Sequence, residues 1–109
     1  MTVEDFVKKS GYKVVTLPHP EREIDGCYIG DLLSWVMGRC EPGNLWITII
    51  SNLNVVAVST LADASAIILA EGVTLDEEVM NIALQKGVNV ISSPSTAYAT
   101  AKDVAAIIE

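Results

Sequence analysis

Residues 66–91 read AIILAEGVTLDEEVMNIALQKGVNVI, and the punctuation of this stretch decides the fold class. Ala66 to Leu69 is a short apolar run of strand length, closed by Gly72. Thr74 then caps a helix running to about Lys86, with Asp76, Glu77 and Glu78 near its positive end and Gly87 as its C-cap. Val88 to Ile91 is a second buried strand. Two buried strands joined by a helix of about 12 residues form a right-handed crossover, which predicts an α/β domain with a largely parallel sheet and helices packed on it.

Working downstream, Ser92-Ser93-Pro94-Ser95-Thr96 leads into a final helix ending near Ile107. Working upstream, Asn54 to Ser59 is rich in valine and reads as a strand, preceded by a turn over Ser51 to Asn54 and followed by a short helical turn at Thr60 to Ala64. Leu45 to Ile50, LWITII, is β-branched and aromatic, hence another strand. Leu32, Leu33, Val36 and Met37 recur at helical spacing with Asp31 as cap, and Gly38 and Pro42-Gly43 close that helix. A short strand is expected at Gly26 to Ile29. Nearer the start, Thr2 with Glu4 and Asp5 opens a helix that Gly11 ends, and Tyr12 to Leu17 is a strand stopped by Pro18-His19-Pro20, because proline cannot donate to a sheet ladder. Asn54-Val55-Val56 before Ser59-Thr60 faintly echoes Asn89-Val90-Ile91 before Ser92-Ser93.

At 109 residues the chain suits one domain, taken as residues 1–109. Half of the residues are hydrophobic but only 6% are aromatic, so Val, Ile, Leu and Ala must fill the core. Net charge is −7, and between Glu41 and Ala101 the only basic side chain is Lys86. Neither nucleic acid nor an acidic membrane surface is an expected partner, since both demand clustered Lys and Arg. No export signal or spanning segment is read, which places the protein in the cytoplasm. Cys27 and Cys40 are expected as reduced, buried thiols.

Candidate ligand positions follow from α/β architecture, in which strand ends and helix amino termini present free amides to anions. The foremost is Ser92, Ser93, Ser95 and Thr96, whose four hydroxyls could hold a phosphate or carboxylate; the alternative is an ordinary helix cap. Ser59-Thr60 is second, and Gly30 third because Asp31 beside it repels anions. There is no Walker loop and no GxGxxG. No catalytic residue is assigned: the only histidine, His19, lies between two prolines on a loop, so Ser93 or Ser95 has no evident base. His19, Cys27 and Cys40 match no metal-ligand spacing, and neither a metal nor a cofactor is expected. Glu21 to Asp25 reads as a solvated acidic loop, with cation binding as its alternative. Trp35 and Trp46 belong in the core or at a subunit contact, and a mean hydropathy of +0.40 favours a homodimer.

Gly30-Asp31-Leu32-Leu33-Ser34, Gly43 to Ile49, Asn54 to Val58, Ala66 to Leu69 with Gly72, Gly87 to Ser92 and the Ser95-Thr96 helix start together resemble DRTGG-type domains over about residues 26–107. The resemblance implies a regulatory or assembly role, dimerisation, small-ligand binding and, for stand-alone members, association with an enzyme of the iron-hydrogenase system. The alternative to a regulatory or assembly domain is a sensor of a small anionic metabolite or adenine nucleotide, held at Ser92 to Thr96 and at Ser59-Thr60. The family signature places Thr-Gly-Gly where this chain has Ala70-Glu71-Gly72, and no Asp-Arg pair occurs. Glu71 thus sets a negative charge at a strand end, which disfavours phosphate there.

Overall fold

A computed structural model describes residues 1–109. In chain order the elements are α1 (Val3–Ser10), β1 (Lys13–Thr16), β2 (Cys27–Ile29), α2 (Leu33–Arg39), β3 (Leu45–Thr48), α3 (Leu53–Ala62), β4 (Ala66–Leu69), α4 (Glu77–Gln85), β5 (Val90–Ser92) and α5 (Ala97–Ile108). The strands form one sheet in the order β1-β5-β4-β3-β2. Strands β2 to β5 are parallel, as the alternation of short apolar strands with helices predicts, but β1 joins β5 antiparallel, so the sheet is mixed. An edge strand can pair in either direction, and nothing in Lys13 to Thr16 itself encodes which.

Alternation along the strands divides two cores. Trp46, Ile67, Leu69 and Val90 point to the face covered by α2, α3 and α4, while Leu45, Ile47, Ile68 and Ile91 point to the face covered by α1 and α5. The helix amino termini of α2 to α5 therefore all follow the carboxyl ends of parallel strands, and the base of the sheet is crossed by residues 17–26. Asn89 pins that crossing: it accepts from His19 N (2.9 Å) and donates to His19 O (2.8 Å) and Ser65 O (3.0 Å). Asn44 does likewise at the start of β3, donating to Asp25 O and accepting from Glu41 N at 3.0 Å. Gly87, at φ +72, packs against the His19 ring so closely that a Cβ there would lie 2.8 Å from Nε2.

Several local expectations shift. Asn54 to Ser59 is not a strand but the body of α3, whose Asn52 cap accepts from Asn54 N at 2.9 Å. The valines misled because this helix is apolar on every side, which erases the 3.6-residue rhythm and leaves only β-branched composition to read. The echo between residues 54 and 89 accordingly joins a helix to a strand. Asp76, not Thr74, caps α4, accepting from Val79 N at 2.9 Å, and Lys86 is its C-cap with Gly87 just beyond. Asp31 does not cap α2, which has no side-chain cap; its carboxylate instead accepts from Thr48 Oγ1 (2.6 Å) and Ile49 N (3.0 Å), tying β2 to β3. Cys40 is buried as expected, whereas Cys27 is exposed. Trp46 is buried with Nε1 donating to Gly30 O at 2.9 Å, but Trp35 is 52% exposed with the Arg39 guanidinium 3.8 Å from its ring centroid. No helix is long and apolar enough to cross a membrane.

Candidate functional site

The crevice between the carboxyl ends of β4 and β5 is where helices leave the sheet to opposite faces, α4 to one and α5 to the other, and it gathers four of the seven candidate residues. Ser93 N donates to Leu69 O (2.8 Å), Gly72 N to Ser93 O (2.8 Å) and Glu71 N to Ser95 O (2.7 Å), so the two strand-end loops are laced together. Three of the four hydroxyls are bound as well, that of Ser95 being the exception. Ser92 Oγ donates to Val73 O at 2.8 Å. Ser93 is completely buried, shares a 2.7 Å hydroxyl–hydroxyl bond with the equally buried Thr100, and accepts from Ser95 N at 3.2 Å. Thr96 caps α5 by accepting from Ala99 N at 3.1 Å.

Glu71 completes the arrangement. Its Oε2 accepts from Ala97 N at 3.3 Å, which places a carboxylate of the chain itself on the first turn of α5, where the helix dipole favours negative charge. Glu71 holds φ +62, a left-handed conformation that glycine adopts without strain. The sequence signal was the glutamate at a glycine position of the family signature; its role as a cap depends on folding across 26 residues.

Below this crevice a second cluster escaped sequence reasoning entirely. Tyr12 Oη donates to Asp103 Oδ2 at 2.7 Å, linking β1's lead-in to α5 across 91 positions. Burial first, and then the Asp103 carboxylate, push the Tyr12 phenol above its ordinary value, because both disfavour a second negative charge.

The other candidates lie elsewhere. Ser59 and Thr60 sit in the last turns of α3, at the base of the sheet and far along the chain direction from the strand ends; Ser59 is buried and Thr60 Oγ1 donates back to Val56 O at 3.0 Å. They line a polar cleft of about 280 Å³ with His19, Arg22, Asp63 and Lys86. Arg22 is already engaged there, donating to Asp63 Oδ1 and to Asp63 O, each at 3.1 Å, and His19 Nδ1 lies 3.2 Å from Glu21 Oε1. The single histidine and the strand-end serines thus occupy opposite ends of the domain. Gly30 has both backbone groups committed, its N–H to Ile47 O at 3.2 Å and its carbonyl to Trp46.

A third feature is apolar. Leu53, Val56, Ala57, Leu61 and Ile82 line a groove of about 470 Å³ on the outer side of α3 and α4. In the α2 region Leu32, Trp35 and Met37 are also about half exposed.

The fold is thus an α/β domain whose strand ends are closed by the chain's own hydrogen bonds and whose α3 and α4 leave an apolar groove uncovered. The DRTGG domain family model matches residues 19–107, and the chain belongs to that family. The match begins seven residues before the segment from residue 26 that carries the resemblance and so takes in His19 to Asp25. No curated protein sequence matches the chain. Among solved structures, the CBS and DRTGG domains of the regulatory region of Clostridium perfringens pyrophosphatase, complexed with the activator diadenosine tetraphosphate, align with a TM-score of 0.76 at 11% identity. That alignment covers 94% of this chain and 45% of the other, and it establishes likeness of fold.

Proposed function

We propose that residues 1–109 act as one non-catalytic regulatory or assembly unit, homodimeric in the cytoplasm and serving an enzyme of the iron-hydrogenase system. The observation that carries the non-catalytic part is the commitment of three of the four strand-end hydroxyls: Ser92, Ser93 and Thr96 each hold a partner within the chain, while Ser95 has no base beside it, and Glu71 accepts from Ala97 N at the start of α5. An attacking serine needs a base within hydrogen-bond reach, and His19 is at the other end of the sheet. Family membership supports the regulatory part, and the stand-alone resemblance supports the hydrogenase link. Sedimentation velocity of the whole chain at tens of micromolar tests the homodimer, since an interface of standard size holds at that concentration. A monomer there removes it.

A second reading has one observation in its favour: the structurally similar regulatory region from Clostridium perfringens is complexed with an adenine dinucleotide. On that reading the domain senses a small anionic metabolite or adenine nucleotide at Ser92 to Thr96, with Glu71 displaced from α5. Thermal-shift titration with AMP, ADP, ATP and diadenosine tetraphosphate separates the two, because a ligand at 100 times its Kd adds about 2.7 kcal/mol of stability. No shift with any of the four removes the sensor.

A further inference from the structure

Helix α3 departs from the rest of this acidic chain. Its ten residues, LNVVAVSTLA, contain no charged side chain, although the protein carries a net −7. Val55, Val56, Val58, Ser59 and Ala62 face inward, yet the outward side is apolar too: Leu53 is 47% exposed, Ala57 exposed and Leu61 74% exposed. A helix that is hydrophobic all round is ordinarily covered on all sides, and here one side is bare.

We propose that a second copy of this chain covers it, with α3 packing on the partner's α3 across a two-fold axis. Leu53, Ala57 and Leu61 form an i, i+4, i+8 ridge, the row that interdigitates when two helices cross in the commonest globular geometry. The small side chain stands in the middle, which lets the helix axes come close, and the large ones stand at the ends. Leu61 projects at the lip of the groove lined by Leu53, Val56, Ala57 and Ile82, so a two-fold operation seats each Leu61 in the other copy's groove. Charge favours this occupant: the ridge itself carries no charged side chain, so two bodies of −7 each approach through it with least repulsion, and the one charged side chain lining the groove, Lys86, is opposite in sign to the approaching copy. Size agrees. A standard interface takes ~800 Å² from each partner, about a seventh of the 5574 Å² this chain exposes, and one face of a body measuring 31 × 26 × 25 Å is of that order.

This location rests on the homodimer reading, and the test separates the two. Sedimentation equilibrium is run on the whole chain as wild type, L61E, A57E and Y98E, with circular dichroism as the check of folding. Tyr98 is 75% exposed on α5, in the opposite helix layer, and serves as the control. The expected result is a dimer for wild type and Y98E, with dimer affinity weakened at least 100-fold in L61E and A57E. As a positive readout that survives any misfolding of the glutamate variants, A57C in a C27S background should form a reducible disulfide dimer under mild oxidation. A wild-type dimer that L61E and A57E leave intact, with no A57C cross-link, overturns the α3 interface while the homodimer stands. Loss of the dimer in Y98E as well overturns it by showing that the effect is general repulsion. A wild-type monomer at 100 µM overturns both.

Discussion

Replacing Ser93 by alanine measures whether the foremost hydroxyl of the strand-end crevice is structural. Ser93 and Thr100 are both fully buried and bonded to each other at 2.7 Å, and Ser93 Oγ also accepts from Ser95 N. The substitution leaves the Thr100 hydroxyl buried without its partner, which costs ~1–3 kcal/mol, and strips an acceptor from the Ser95 amide, for a total of ~2–4 kcal/mol. T100V exchanges a hydroxyl for a methyl of similar shape and leaves Ser93 still bonded to Ser95 N, so its cost is ~1–2 kcal/mol. With both hydroxyls gone no hydroxyl is orphaned and only the Ser95 amide lacks its acceptor, so S93A/T100V should be less destabilised than the two single variants added, by ~1–2 kcal/mol. Equilibrium urea unfolding followed by the emission of the buried Trp46 reads all four corners of the cycle. If S93A unfolds within ~0.5 kcal/mol of wild type, or the coupling is zero within ~0.3 kcal/mol, the bond does not hold Ser93 and the hydroxyl is free for a ligand after all.

Tyr12 carries a pH signature. Its phenol is raised above 10 in the folded chain, by burial and then by Asp103, so the stabilising contribution is complete below pH 10 and is lost as the pH climbs through the raised folded value. The melting temperature of wild type should accordingly fall more steeply as the pH rises past 10 than that of Y12F, and parallel curves would contradict the assignment. At Glu71, relief of the left-handed backbone, ~1 kcal/mol, offsets loss of the exposed cap on Ala97 N, ~0.5–1 kcal/mol, so E71G should match wild type closely. E71A loses the cap and keeps the strain, and should be less stable than wild type by ~0.5–1 kcal/mol and less stable than E71G; an E71A that matches wild type in thermal unfolding would refute the capping role, and an E71G no more stable than E71A would refute the strain.

Where structure is written in neighbouring residues the existence of the helices is read correctly, although the capping residue is not always: Asp76 and not Thr74 caps α4, and Asp31 does not cap α2. Helix α4 is marked by acids at its start and glycine after its end, and α5 by the Thr96 hydroxyl, because caps and turns act over three or four positions. The parallel pairing of β4 with β5 follows from the same local alternation of strand and helix. Helix α3 fails the reading for the opposite reason: its outward apolar side removes the periodicity, and the same outward side is what suits it to a partner. Identical residue types met different fates, with Trp46 buried against Gly30 O and Trp35 left under Arg39 at the surface.

The hydroxyls of Ser92 to Thr96, the acidic balance and the glutamate at position 71 are properties of the chain alone, and they determined which groups stand at the strand ends and which polyanions the surface repels. Only the tertiary structure decided what those groups do. Ser93 meets Thr100, Tyr12 meets Asp103 and Glu71 meets α5 through contacts spanning 7, 91 and 26 positions, while Ser59 and Thr60 are carried to the far end of the sheet. A hydrogen bond is a matter of ångströms in space, and for the longer of these spans the packing of helices on the sheet, rather than spacing in sequence, brings the partners together.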